Sequence, residues 1–384
     1  MTARKLKDFF DASLVREIAS DLARVDLSFD AAGFVESGGT GLDRLELTAR
    51  AWHLAEALQR YLPKPFARAA EVISSSLGAE LVPTGESGIG PLRYMPHVFF
   101  VQKYGLDDFE AAMHAQYELT KRFSAESSIR AFLVRYPEKT YARLIEWARN
   151  ENAHVRRLVS EGTRPRLPWT PQLRAFQENP RPVIALLELL KDDPERYVQR
   201  SVANNLNDIG KDHAELAVEV CQRWMVGAPA GRKWIVRHAL RSLVKRGHRG
   251  ALETLGVAGQ PKVRICRARL DPANVRLGGQ LRFSFEIASR SRQAQELLID
   301  YAVHFVKTNG ATRPKVFKLR RITLSPAARV ELTGKVSFAS LTTRRHCPGC
   351  HRIDVLVNGV VHPLAAFEVR AARCRRDRSI SGCD

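Results

Sequence analysis

The sequence predicts a multidomain chain, α then β. A HEAT-like α-helical repeat solenoid is expected over residues 1–260, followed by a basic immunoglobulin-like β-sandwich over residues 261–370. Three observations predict it. Apolar residues recur three and four apart up to about Gln260, alternate at period two beyond Pro261, and an arginine-centred pattern returns through the helical part. The Arg-rich residues 371–384 lack any apolar pattern and are expected to form a basic disordered tail.

In the helical part, residues 5–25 and 43–61 carry the helical spacing, with a Gly/Ser break at Glu36-Ser-Gly-Gly-Thr-Gly-Leu42. The recurring pattern is Lys121-Arg-Phe-Ser-Ala-Glu126, Arg156-Arg-Leu-Val-Ser-Glu161, Gln199-Arg-Ser-Val-Ala-Asn204 and Val236-Arg-His-Ala-Leu-Arg241. Its arginines, Arg122, Arg157, Arg200 and Arg237, are 35, 43 and 37 residues apart, a period suited to stacked helix pairs. In the third unit Asp193 is placed to cap a helix that has Pro194 at its first position and Gly210 at its end. Beyond Pro261, Val263–Ala268, Leu281–Ile287, Leu298–Val306, Lys315–Leu319 and Ile353–Val357 alternate as strands. Gly278-Gly279, Asn309-Gly310 and Asn358-Gly359 punctuate them.

Charge narrows the partner. The chain carries a formal net charge of +20, and phosphates reward Lys and Arg through counterion release, so nucleic acid leads. Residues 261–384 hold 24 Lys+Arg against 9 Asp+Glu, whereas residues 1–150 are about neutral. No apolar run approaches the roughly 18–20 residues of a membrane span, and the first residues lack an apolar signal core. A cytoplasmic, monomeric protein without membrane partner is expected, nucleoid-associated when bound to DNA. The scattered cysteines (Cys221, Cys266, Cys347, Cys350, Cys374, Cys383) are expected to be reduced thiols.

On the third repeat helix Val198, Val202, Leu206 and Ile209 form the face to be buried, and Arg200, Asn204 and Asp208 a second stripe. The same phase carries Arg237, Arg241 and Lys245 in the last repeat, Arg122, Glu126 and Arg130 in the first, and Arg157 and Glu161 in the second. Stacking would align these as a basic track with a few carboxylates. An isolated Arg–Glu pair at this spacing is ordinarily a solvated surface pair; recurrence in phase favours a shared surface. Carboxylates repel a duplex, so they make sense where the bound target is cationic, as an alkylated base is. They would also stabilise oxocarbenium charge during glycosidic cleavage.

Two long stretches carry a family resemblance: Ser160-Glu-Gly-Thr-Arg-Pro-Arg-Leu-Pro-Trp169 and Tyr197-Val-Gln-Arg-Ser-Val-Ala-Asn-Asn-Leu-Asn-Asp-Ile-Gly-Lys-Asp-His213. Ser124–Phe132 and Leu6–Phe10 support them. They resemble the AlkC branch of the AlkC/AlkD-type DNA glycosylases, some of which carry such a sandwich. The resemblance implies base excision repair: removal of 3-methyladenine or 3-methylcytosine from duplex DNA without deep base flipping and without a cofactor. It puts the family's carboxylates on Glu126, Glu161 and Asp208 and its tryptophan on Trp169. Arg157, Arg164 and Arg166 would hold phosphates flanking the lesion; the basic track adds Arg122, Arg200, Lys211, Arg237, Arg241 and Lys245. Asn204 and Asn205 are helix-packing residues or supports for the acids. Which acid orients water stays open.

Cys347-Pro-Gly-Cys350-His351 matches a haem-attachment pattern, but no export signal accompanies it. The loop offers too few ligands for a closed zinc site, so no metal is expected. Arg344 and Arg345, just before it, are better placed for phosphate contact. A non-catalytic DNA-binding scaffold and an adaptor for an acidic protein are the competing readings; acids on the DNA face argue against the scaffold. Deleting residues 262–384 is expected to weaken duplex binding and flatten its salt dependence, checked by titrations at several ionic strengths; unchanged binding would exclude a role for the sandwich.

Overall fold

The computed structural model describes residues 5–82, 92–257, 260–339 and 346–371. Arg344, Arg345 and the tail from residue 372 lie outside the described residues. The chain divides into two compact units, Met1–Leu240 and Arg241–Asp384.

The first unit is helical. It opens with α1 (Ala12–Val25), α2 (Ala31–Gly39), α3 (Leu47–Tyr61), α4 (Phe66–Ser76), α5 (Met95–Tyr104) and α6 (Phe109–Thr120). There follow α7 (Ser128–Arg135), α8 (Pro137–Trp147), α9 (Ala153–Gly162) and the short α10 (Arg174–Glu178). It ends with α11 (Arg181–Leu190), α12 (Arg196–Asp212), α13 (Ala214–Met225) and α14 (Ala230–Ala239). Helices stack in two layers: α3 on α5 on α7, and α9 on α12 on α14, with α4 on α6, and α8, α11 and α13 backing their neighbours. This is a helical-repeat array, each pair burying its apolar stripe against the next. On α12 the stripe is Val198, Val202, Leu206 and Ile209, all buried.

Local details depart from the sequence reading. The Gly/Ser break begins later than expected, because Glu36–Gly39 finish α2, which Asp30 caps through the Gly33 amide. Helix α12 starts after Glu195 instead of Asp193. The Asp193 carboxylate is taken by Arg156 (Nε to Oδ2, 2.6 Å) and by the Glu195 amide (2.9 Å), so it shapes the preceding turn. Gly210 lies inside α12, buried, and His213 ends the helix. The stripe Arg237, Arg241, Lys245 is not one helix face, since α14 stops at Ala239 and Arg241 opens the second unit.

The second unit begins with α15 (Arg241–Lys245) and α16 (Arg249–Thr254). Eight strands follow: β1 (Val263–Asp271), β2 (Asn274–Arg276), β3 (Gln280–Ser289), β4 (Gln295–Val306), β5 (Thr312–Leu324), β6 (Arg329–Ser337), β7 (Gly349–Val357) and β8 (Val360–Arg370). They form sheets ordered β1-β3-β6 and β2-β8-β7-β4-β5 around a core that includes Phe283, Phe285, Ile299, Val303, Ile353 and Val355. Strands β2, β6 and β8 add to the five expected ones; β6 does alternate, with Val330, Leu332, Gly334 and Val336 on its inner face. Asn358 and Gly359 both have positive φ and close the β7–β8 hairpin with Val357 opposite Val360, as a two-residue turn requires. Gly359 also meets the backbone of Gly247, so the two short helices seat on this hairpin.

Helices α7 and α9 approach closely where α9 ends. A Cβ on Gly162 would come within 2.5 Å of Ile129 Cγ2, and a β-branched side chain cannot swing away freely. Gly162→Ala is therefore expected to destabilise the first unit by about 1–3 kcal/mol, read from urea denaturation; an unchanged midpoint would show that the two helices can part at no cost.

Candidate active site

Two helices build the site. The Asn152 side chain caps α9 through the His154 amide at 2.8 Å, and Val155, Leu158 and Val159 bury its apolar face. That fixes Arg157 and Glu161 one turn apart on an adjoining stripe. On α12, Ser201, Asn205 and Asp208 are four and three apart and all buried, a polar stripe beside the apolar one. Asn205 donates to the Ser160 carbonyl (2.7 Å) and to Thr163 Oγ1 (3.1 Å), locking α12 onto the end of α9.

The three expected acids meet through arginines. Arg164 Nη1 donates to Glu161 Oε1 at 2.6 Å and its Nε to Asp208 Oδ2 at 2.8 Å, so one guanidinium joins α9 to α12. Ser201 Oγ donates to Glu161 Oε2 at 2.6 Å, and Lys211 Nζ to Asp208 Oδ1 at 2.6 Å. Arg157 bridges to the third acid: its Nη2 is 3.0 Å from Glu126 Oε2 and 3.8 Å from Glu161 Oε1. Ser124 supports that corner, donating to Glu126 at 2.8 Å and accepting from Arg157 Nη1 at 3.1 Å. Arg157 also packs over the Tyr197 ring, where a guanidinium is attracted to the π face.

Burial decides the energetics. Glu161 and Asp208 are only 6% and 1% exposed, and unpaired buried carboxylates would neutralise. Burial is the largest influence on Glu161 and pushes its carboxyl up. The charges of Arg157 and Arg164 and the Ser201 hydrogen bond outweigh it and hold the carboxyl below the usual glutamate range. Burial likewise opposes the charges of Arg157 and Arg164, but the neighbouring acids raise both. The cluster is thus a set of mutually stabilised charges.

Trp169 stands apart from that burial. It is 75% exposed, with φ +64°. Such a conformation is unusual for a bulky residue and marks strain held by its surroundings. The turn is anchored by buried Leu167 and Leu173, by the Leu173 amide bonded to the Pro165 carbonyl (3.2 Å) and by Thr170 on the Leu167 carbonyl (3.2 Å).

The remaining predicted residues are dispersed. Arg166 grips Asp212 with both nitrogens (2.9 and 2.6 Å) beside the cluster. Arg122 is committed to Glu118 (2.6 Å) and the Gly78 carbonyl (2.6 Å), in the turn between α6 and α7. Arg200 and Arg237 are exposed, without an ion pair among the described residues. Arg241 and Lys245 belong to the second unit. Asn204 lies beside His238, at 3.2 Å. Ser124 and Ser201 were missed, because lone serines carry no periodic signal; the 201–205–208 spacing was the available clue. Among the described residues no group of three or more His, Cys, Asp or Glu could hold a metal.

Known proteins share this architecture. Residues 264–371 match the family described as "Uncharacterised protein YhaZ, C-terminal Ig-like domain". The uncharacterized protein YhaZ of Bacillus subtilis (strain 168) is 38% identical over 270 residues, 70% of this chain and 75% of YhaZ. The solved structure of Pseudomonas fluorescens alkylpurine DNA glycosylase AlkC, bound to DNA containing an abasic site analog, superposes with a TM-score of 0.88 at 36% identity. The match covers 96% of this chain and all of that one. The chain belongs to the AlkC family. Both parts of this AlkC-family chain, the helical repeats and the Ig-like sandwich, fall within the match.

Because the Glu161 carboxyl is held low, its pairing stabilises the fold above the unfolded pKa of about 4.3 and loses that contribution as pH falls through the lower folded value. Glu161→Gln is expected to cost on the order of 3 kcal/mol at pH 7, with the gap to wild type narrowing as pH falls below about 4. Urea denaturation across pH 3–7 checks this, and a gap independent of pH would contradict the pairing.

Proposed function

We propose that the chain is a monofunctional DNA glycosylase that hydrolyses the N-glycosidic bond of cationic alkylated bases, 3-methyladenine and 3-methylcytosine, in duplex DNA. The observation carrying this reading is the cluster of three carboxylates, Glu126, Glu161 and Asp208, together with an exposed, strained Trp169 in the loop after α9 that also carries Arg164. The full-length likeness to AlkC, an alkylpurine DNA glycosylase, supports it.

The chemistry follows from charge. An alkylated base enters positive and departs neutral, so it needs little general-acid help, while positive charge grows on the deoxyribose. Fixed carboxylates stabilise that charge and orient the attacking water. Trp169 offers a π face to the cationic lesion or its sugar without a deep pocket. In the free protein Arg157, Arg164 and Lys211 neutralise the acids. Backbone phosphates compete for these cations, and each one drawn to DNA leaves carboxylate charge to face the lesion. Exposed Arg200 and Arg237 are free to hold further phosphates.

Wild type is expected to release 3-methyladenine from methylated duplex DNA, with Glu161→Gln and Asp208→Asn slowing the single-turnover step by roughly 10²–10³-fold. Binding to unmodified duplex should remain. DNA binding without base release would favour the scaffold reading, and undiminished excision by both variants would overturn the site assignment.

A further inference from the structure

Arg130, on α7, is 4% exposed, and among the described residues no carboxylate pairs with its guanidinium. Its hydrogen bonds go to backbone. Nη1 donates to the carbonyls of Gly162 (3.0 Å) and Arg164 (2.7 Å), and Nη2 to that of Pro171 (2.7 Å). One planar fork therefore grips both ends of the segment that carries Arg164 and Trp169. Burial, then the like charge of Arg164, lower its pKa to about 10 against the opposing charges of Glu126, Asp208 and Glu161, which leaves it charged at neutral pH.

A buried guanidinium that no carboxylate contacts directly keeps a desolvation cost that more distant acids offset only in part, so the arrangement needs a return elsewhere in the molecule. The segment supplies one. Trp169 sits in a left-handed conformation that persists only where its surroundings over-determine it. Arg164 can bridge Glu161 and Asp208 only if its backbone stays at the end of α9. We propose that Arg130 is a positioning residue: its fork fixes the Gly162–Pro171 segment, and through it the presentation of Trp169 and the seat of Arg164. The reaction it would serve is the glycosylase reading above. Lysine cannot substitute, because a point charge on a flexible stem reaches one carbonyl where the fork reaches three.

The test compares Arg130→Lys, which keeps the charge, with Arg130→Ala, using full-length protein. Three readouts are taken: single-turnover release of 3-methyladenine, affinity for a duplex with a tetrahydrofuran abasic site, and hydrogen exchange of peptides covering 162–173. Arg130→Lys is expected to lose about 100-fold in rate with affinity within about threefold, and millimolar guanidinium to restore about tenfold in Arg130→Ala. Faster exchange should be confined to 162–173. A wild-type rate and exchange in Arg130→Lys would overturn the proposal. So would a rate loss matched by lost affinity, or exchange raised throughout the helical unit. If wild type released no base, the glycosylase reading would fail alone; the exchange comparison would still decide whether Arg130 fixes the segment.

Discussion

Arg164 holds the site together. Its guanidinium faces Glu161 at the end of α9 and Asp208 near the end of α12, and these helices are neighbours in the stack. Without that bridge two nearly buried carboxylates would lose the guanidinium they share, in a medium that screens charge poorly. With it, and with Arg157 and Ser201, the Glu161 carboxyl is held below the usual glutamate range. Asn205 performs the uncharged part of the same task, pinning α12 to the Ser160 carbonyl. The register of the stack and the pairing of the acids are consequently one constraint.

That constraint lets a strongly cationic protein keep nearly buried acids at the proposed site. In the free chain each acid has a basic partner, and the partners are residue types that also prefer phosphate. On the proposed glycosylase reading, duplex and cationic base would divide the ion pairs between them, with basic side chains moving toward phosphate and leaving the carboxylates to the lesion. Nothing in this exchange requires a large rearrangement of helices. Only long side chains need move, and they are the elements with low-cost rotamers.

Much of this was legible beforehand. The switch from helical to period-two spacing near Pro261 located the strand-rich part, and the Asn358-Gly359 pair located a hairpin that the structure forms with both residues at positive φ. Glu126, Glu161 and Asp208 could be singled out because they break a basic pattern in phase. The illegible parts share a cause: competition for one side chain by partners distant in sequence. Asp193 reads as a helix cap, yet Arg156 claims its carboxylate. Arg130 reads as one more cation on the track, yet it is turned inward to carbonyls of another segment.

By itself the sequence determined the class of each part, the uneven charge and the identity of the acids. These depend on spacing and residue type, which survive in any arrangement of the chain. Tertiary structure alone decided the pairs that cross between elements, Arg164 with Asp208 and Arg157 with Glu126. It also decided that Arg122 reaches the Gly78 carbonyl and not the acids, and that Trp169 is presented in a strained left-handed turn. Those outcomes are set by distances of a few ångströms between helices some 35 to 45 residues apart in the chain, and periodicity along one helix contains no information about its neighbour's phase.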